Sequence, residues 1–119
     1  MKESVLKTKS YDFALRVLKL HRHLAKESKE FVISKQILRS GTSVGANIEE
    51  ANQAQSTADF IHKLSIALKE ASETNYWLRL LRDGEILEVK LANSILKDCE
   101  EIQRMLTASI KTSKANASK

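Results

Sequence analysis

From Ile33 to Ala51 an apolar or small residue returns every three or four positions: Ile33, Ile37, Leu38, Gly41, Val44, Gly45, Ile48 and Ala51. That is the repeat of an amphipathic helix, and it runs through Gly41 and Gly45 without a break. Similar spacing fills most of the chain, and no proline interrupts it. Proline is the residue a helix interior tolerates least, at about 3 kcal/mol. With aromatics at 5% and only three glycines, strands have little to build on. The chain reads as all-α.

The spacing predicts four helices, over about 10–27, 31–55, 57–82 and 86–111, with flexible ends at 1–9 and 112–119. Ser10 is the expected cap of the first, which gathers Phe13, Val17, His21 and Leu24 with Ala14, Leu18 and Ala25 in one arc. Ser56-Thr57-Ala58-Asp59 reads as a cap followed by an acid in the first turn of the third. The stripe of that helix is Phe60, Leu64, Ala67, Leu68, Ala71, Asn75 and Leu78, and Gly84 suits the left-handed position after its end. The fourth turns Leu91, Ala92, Ile95, Cys99, Ile102 and Leu106 inward. Long helices joined by loops of a few residues make an antiparallel up-down-up-down four-helix bundle. A chain of 119 residues supplies one core, hence a single domain over 1–119.

Two glycines among small polar residues in SGTSVGANIEEA, Ser40 to Ala51, also invite comparison with a phosphate-binding loop. Such a loop needs four residues between its glycines, then Lys and Ser or Thr, after a strand. Here three residues separate Gly41 from Gly45, and Ala46 and Asn47 follow. The glycines instead mark close helix packing, where an absent side chain lets a neighbouring helix approach. Each costs about 1 kcal/mol against alanine in a helix interior, and that packing has to offset it.

Catalytic constellations are poor. The single cysteine, Cys99, cannot form an internal disulfide, and it follows Ile95 by one turn, as a buried small apolar residue would. Asp59 and His62 resemble half of the carboxylate–histidine pairing of metal-binding bundles, but a second pair is not written and both project away from the core stripe. His21 lies on the apolar face of the first helix. Side chains of the adjacent Glu49 and Glu50 diverge by about 100° and make no close acid–base pair. The expectation is a non-enzymatic protein with no metal and no cofactor. The opening MKESVLKTKS lacks the apolar stretch of a signal peptide, and no run is long enough to span a bilayer. A cytoplasmic protein without a membrane partner is expected.

Charge is unevenly spread. The net charge is +5, yet Met1 to Ser40 holds ten Lys or Arg against four Asp or Glu, while Gly41 to Ile110 holds seven against eleven. Such asymmetry suits a polyanion or an acidic partner surface. On the outer face of the first helix Arg16, Lys19, Arg22, His23 and Lys26 form a stripe, with Lys7, Lys9 and Lys29 close in sequence. It suits a phosphate backbone and plain solvation equally well. Few aromatics interleave with these charges, which gives base stacking little support. On the third helix Ile66, Tyr76, Trp77 and Leu80 face away from the core, more apolar surface than a monomer this small leaves in water. They read as a subunit interface anchored by the two aromatics.

The stretch SGTSVGANIEEA, followed by STADFIHKLSIALKEASETNYWLRLL from Ser56 to Leu81, resembles the 23S rRNA intervening-sequence protein family. The resemblance runs from about Tyr11 to Leu106 and is strongest from Gln36 to Leu81. It implies an antiparallel four-helix bundle assembled into a ring-like homopentamer, encoded in some members within insertions of bacterial 23S rRNA genes. The family is similar to accessory proteins of diversity-generating retroelements, positively charged pentameric barrels that engage a reverse transcriptase and nucleic acid. Many relatives carry proline in the segment matching Thr42 to Ala46 and glycine after the glutamate matching Glu50; this chain has Val44 and Ala51. The resemblance implies an RNA-linked role and supplies no catalytic residue. The expected function is a homo-oligomeric RNA-binding module; the alternative is a scaffold or accessory subunit whose basic side meets an acidic partner protein, such as a reverse transcriptase.

Overall fold

The computed structural model describes residues 2–118, with side chains from Val5 onward. Four helices follow in order: α1 Lys2–Glu27, α2 Val32–Ala51, α3 Thr57–Asp83 and α4 Val89–Ala117. Each connection is four or five residues. At about 3.5 Å per extended residue such a loop cannot return along a helix of twenty residues or more, so consecutive helices run antiparallel. Each helix packs on the two next to it in the ring α1–α2–α3–α4, giving an all-α four-helix bundle 51 × 21 × 20 Å in extent. No helix among the described residues is long and apolar enough to cross a membrane.

The core is a heptad seam. Buried positions step by four and three along α1 (Leu6, Ser10, Phe13, Val17, Leu20, Leu24), along α2 (Ser34, Ile37, Gly41, Val44, Ile48, Ala51) and along α3 (Leu64, Ala67, Ala71, Thr74, Leu78, Leu81). In α4 the seam is Ala92, Ile95, Cys99, Ile102 and Leu106. A step of 3.5 keeps one side of each helix on the bundle axis, as in coiled coils. Every buried hydroxyl on the seam has a partner. Ser10 donates to the Lys7 carbonyl at 3.0 Å, Ser34 to the Glu30 carbonyl at 2.9 Å and Thr74 to the Glu70 carbonyl at 2.8 Å. Between helices, Ser40 Oγ lies 2.7 Å from Thr74 Oγ1.

Several expectations change. α1 begins at Lys2, so Ser10 is a buried interior residue and no cap, and residues 2–9 and 112–117 are helical. The reason lies in Leu6 and Ile110, whose burial extends the seam one or two turns past the strongly apolar stretches. α2 stops at Ala51, four residues short of the expected end, and residues 52–55 turn toward Ser56. Ser56 does cap α3, accepting from the Asp59 amide at 3.1 Å. Gly84 is not left-handed, with φ −81°; the positive φ falls on Glu85 at 61°. Glycine is needed at 84 for proximity, because a Cβ there would lie 2.9 Å from the Leu80 carbonyl oxygen.

Candidate nucleic-acid interface

Ion pairs divide the basic stripe into two parts. Arg16 Nη1 reaches Asp98 of α4 at 2.7 Å and its Nη2 donates to Ser94 Oγ at 3.1 Å. Lys9 pairs with Glu101 at 2.7 Å, and Lys7 with Glu49 at 3.5 Å. The hydrogen bond and charge of Glu101 hold the Lys9 ammonium above its ordinary pKa. These three cations bind helices to one another. Beyond Arg16, Lys19, Arg22, His23, Lys26 and Lys29 are all exposed, and none forms an ion pair with a described residue. Lys19 and His23 stand with Arg16 around a shallow groove of about 330 Å³ between α1 and α4, floored by Leu20, Leu91 and Ile95. The exposed cations therefore occupy the half of α1 nearest the α1–α2 turn.

That turn is held firmly. The amides of Ser28 and Glu30 both donate to the Leu24 carbonyl at 3.1 Å, and Lys29 adopts a left-handed φ of 53°. The Glu30 carboxylate then accepts from three amides at the start of α2: Val32 at 3.2 Å, Ile33 at 3.1 Å and Ser34 at 2.8 Å. A carboxylate on the free N–H groups of a helix start satisfies them and complements the helix dipole. Sequence reasoning missed this cap, and it missed Lys35, an exposed cation one turn into α2. The aromatic Phe31, 52% exposed, also lies in this turn.

The outer face of α3 separates its four interface candidates. Tyr76 and Leu80 are 50% and 41% exposed, whereas Ile66 is half-buried and Trp77 packs against the core. Trp77 directly precedes the core residue Leu78, and its indole faces the α2–α3 seam, donating to Glu73 Oε2 at 3.0 Å. Arg39 of α2 forms ion pairs with both Glu70 and Glu73 of α3. The Trp77 N–H and then Arg39 hold the Glu73 carboxyl below its ordinary range. Tyr76 meets Trp77 edge-on with centroids 5.1 Å apart, and the Arg79 guanidinium lies 5.8 Å over the Tyr76 ring. A second exposed apolar pair, Tyr11 and Leu15, lies on α1; Tyr11 also lines a groove of about 460 Å³ with Ala14, Thr42 and Ala46.

The reactive-looking groups have structural partners. His21 is half-buried with Nδ1 3.2 Å from the Ser34 carbonyl, so the proton sits on Nδ1. Cys99 is buried and donates to the Ala71 carbonyl at 3.2 Å, and burial pushes its thiol up to about 12, far from thiolate chemistry at neutral pH. Among the described residues no three His, Cys, Asp or Glu side chains gather as a metal site.

Residues 2–108 match the pattern of the 23S rRNA-intervening sequence proteins. The chain belongs to this family. It is also similar to a crystal structure of a protein of unknown function from the S23 ribosomal protein family of Bacteroides thetaiotaomicron, at 58% identity and a TM-score of 0.92 over 93% of this chain and 99% of that one. No curated protein matches the sequence. The family match takes in the exposed cations, the α1–α2 turn and the outer face of α3, so every element of the candidate surface belongs to the part this chain shares with the 23S rRNA-intervening sequence proteins.

Proposed function

We propose that the protein is a non-enzymatic, homo-oligomeric RNA-binding module that engages the phosphate backbone through Lys19, Arg22, His23, Lys26 and Lys29. The observation that carries this reading is the contrast along α1 and the turn after it: Lys7, Lys9 and Arg16 are tied to carboxylates of α2 and α4, whereas these five are exposed. Exposed cations in a row neutralise phosphates and release counterions, which is the main source of affinity in backbone binding. The family's link to the intervening sequence of 23S rRNA favours RNA over DNA. Apolar surface on α3 and α1 supports assembly, and assembly would multiply the cationic rows on one particle. A pentamer is the assembly implied by resemblance.

The test is salt dependence. With four or five phosphate contacts, log K against log salt should fall with a slope of roughly −3 to −4 on RNA. Replacing Lys19, Arg22 and Lys26 by Glu should abolish binding at physiological salt and leave the fold intact, because all three are exposed. Arg16 is best left unchanged, since its reversal would set a carboxylate against Asp98. Unchanged RNA affinity in the triple variant overturns the reading. An unmodified protein that ignores RNA at physiological salt points instead to an acidic protein partner.

A further inference from the structure

Phe31 is unexplained by the fold. It is 52% exposed, stands outside the core cluster and has no aromatic neighbour in stacking contact. The start of α2 is capped by Glu30, so Phe31 contributes no side-chain cap of its own. Yet its backbone is fixed on both sides, by the Leu24 carbonyl before it and the Glu30 carboxylate around it. The ring is an apolar surface held on display.

Its surroundings are cationic, as helical spacing shows. Eleven residues make three turns and return to nearly the same face. Arg22 therefore shares the face of Tyr11, Phe31 that of Thr42 and Lys35 that of Ala46; Tyr11, Thr42 and Ala46 together line the outer groove between α1 and α2. Arg22, Phe31 and Lys35 continue that side of the bundle to the hairpin end. Lys26 lies one turn past Arg22, and Lys29 sits in the turn itself. Of the two carboxylates between Arg22 and Lys35 in the chain, Glu30 is occupied by three amides, and Glu27 shares the face of Arg16, which is turned to α4.

An exposed aromatic ring among unpaired cations has the composition of a single-strand platform, where a base stacks on the ring and flanking phosphates meet the charges. We infer that Phe31 stacks an unpaired nucleobase of RNA, with Arg22, Lys26, Lys29 and Lys35 holding the phosphates on either side. This rests on the RNA reading above and narrows it to RNA with unpaired bases, as in a loop or a strand end. A paired base offers no free face to the ring, so a fully paired duplex gains only the backbone contacts.

The experiment compares two probes, a short single-stranded RNA carrying 2-aminopurine and a fully paired duplex of equal length. In full-length protein Phe31→Ala should weaken the single strand about tenfold or more and leave the duplex unchanged. Phe31→Trp should restore binding and quench 2-aminopurine. Phe31→Leu, apolar without a π-face, should bind like Phe31→Ala. Single-strand affinity unchanged in Phe31→Ala overturns the stacking assignment. If reversal of Lys19, Arg22 and Lys26 still abolishes binding in that case, the backbone reading stands without it. A fall in light-scattering mass caused by Phe31→Ala also overturns the assignment, because the ring then serves a contact between copies.

Discussion

Gly41 of α2 stands so close to Val17 of α1 that a Cβ added to it would lie 2.8 Å from both Val17 methyl carbons. At Gly45, one turn on, the nearest atom would be the Ser10 carbonyl oxygen at 3.4 Å. The two glycines therefore differ in what they allow. Gly41→Ala should destabilise by up to about 2 kcal/mol: overpacking a buried β-branched residue costs about 1–3 kcal/mol, and helix propensity returns about 1. Gly45→Ala should be neutral or stabilising by up to about 1 kcal/mol, since the contact is ordinary and propensity improves. Urea unfolding with unchanged m-values checks both. In the Val17→Ala background the Gly41→Ala penalty should disappear; a penalty that persists would show that Val17 is not its cause.

Glu73 joins α2 to α3 through Arg39 and holds the indole of Trp77, the chain's single tryptophan. Its carboxyl is lowered from the ordinary 4.5, first by the indole hydrogen bond and then by Arg39. A depressed carboxyl contributes stability that is present above its unfolded pKa and is lost as pH falls through the folded value. Trp77 emission should therefore titrate with a midpoint below 4.5 in the folded protein. Stability should decline across the same acid window. Glu73→Gln should remove this fluorescence step and flatten that part of the stability curve. A midpoint at or above the ordinary value would remove the indole bond as a determinant.

Much of the bundle was legible because its seam is written in aliphatic residues, and the errors fall where it is not. Ser10, Ser34 and Thr74 occupy seam positions with hydroxyls that bond to a carbonyl three or four residues back or across to a neighbouring helix. A polarity reading passes over them, and on α3 the expected stripe steps four from Ala71 to Asn75 where the buried seam steps three to Thr74. Asn75 is half-buried and bonds Gln103 of α4 at 3.1 Å. Leu20 was missed although it is 3% exposed, because the arc drawn through His21 and Ala25 leans toward α2. For the surface, a list of cations along α1 gives no sign of which are spent. Asp98 lies 82 residues from Arg16 and Glu101 lies 92 from Lys9, pairings that only the packing of α1 on α4 creates. Phe31 is visible as a letter, but its exposure beside a helix start capped by Glu30 is a property of the folded turn.

Tyr76 and Leu80 lie on adjacent turns of α3 and remain about half exposed, while Tyr11 and Leu15 form a separate patch on α1, the helix diagonally opposite. A stable interface buries about 800 Å² per partner, more than either pair alone supplies, so each patch needs its surroundings, including the groove beside Tyr11. Patches on different helices that meet each other make a head-to-tail contact, which closes into a ring or continues as a filament. Light scattering of the unmodified protein should give a multiple of 13.4 kDa. Tyr76→Glu with Leu80→Glu should reduce it to one chain with helical circular dichroism preserved, and Tyr11→Glu with Leu15→Glu should do the same. Mixing the two variants should then yield a species of two chains, because each retains the half the other lost. A single-chain mass for the unmodified protein would sink assembly altogether. Variants that fail to complement would show that each patch meets its own kind.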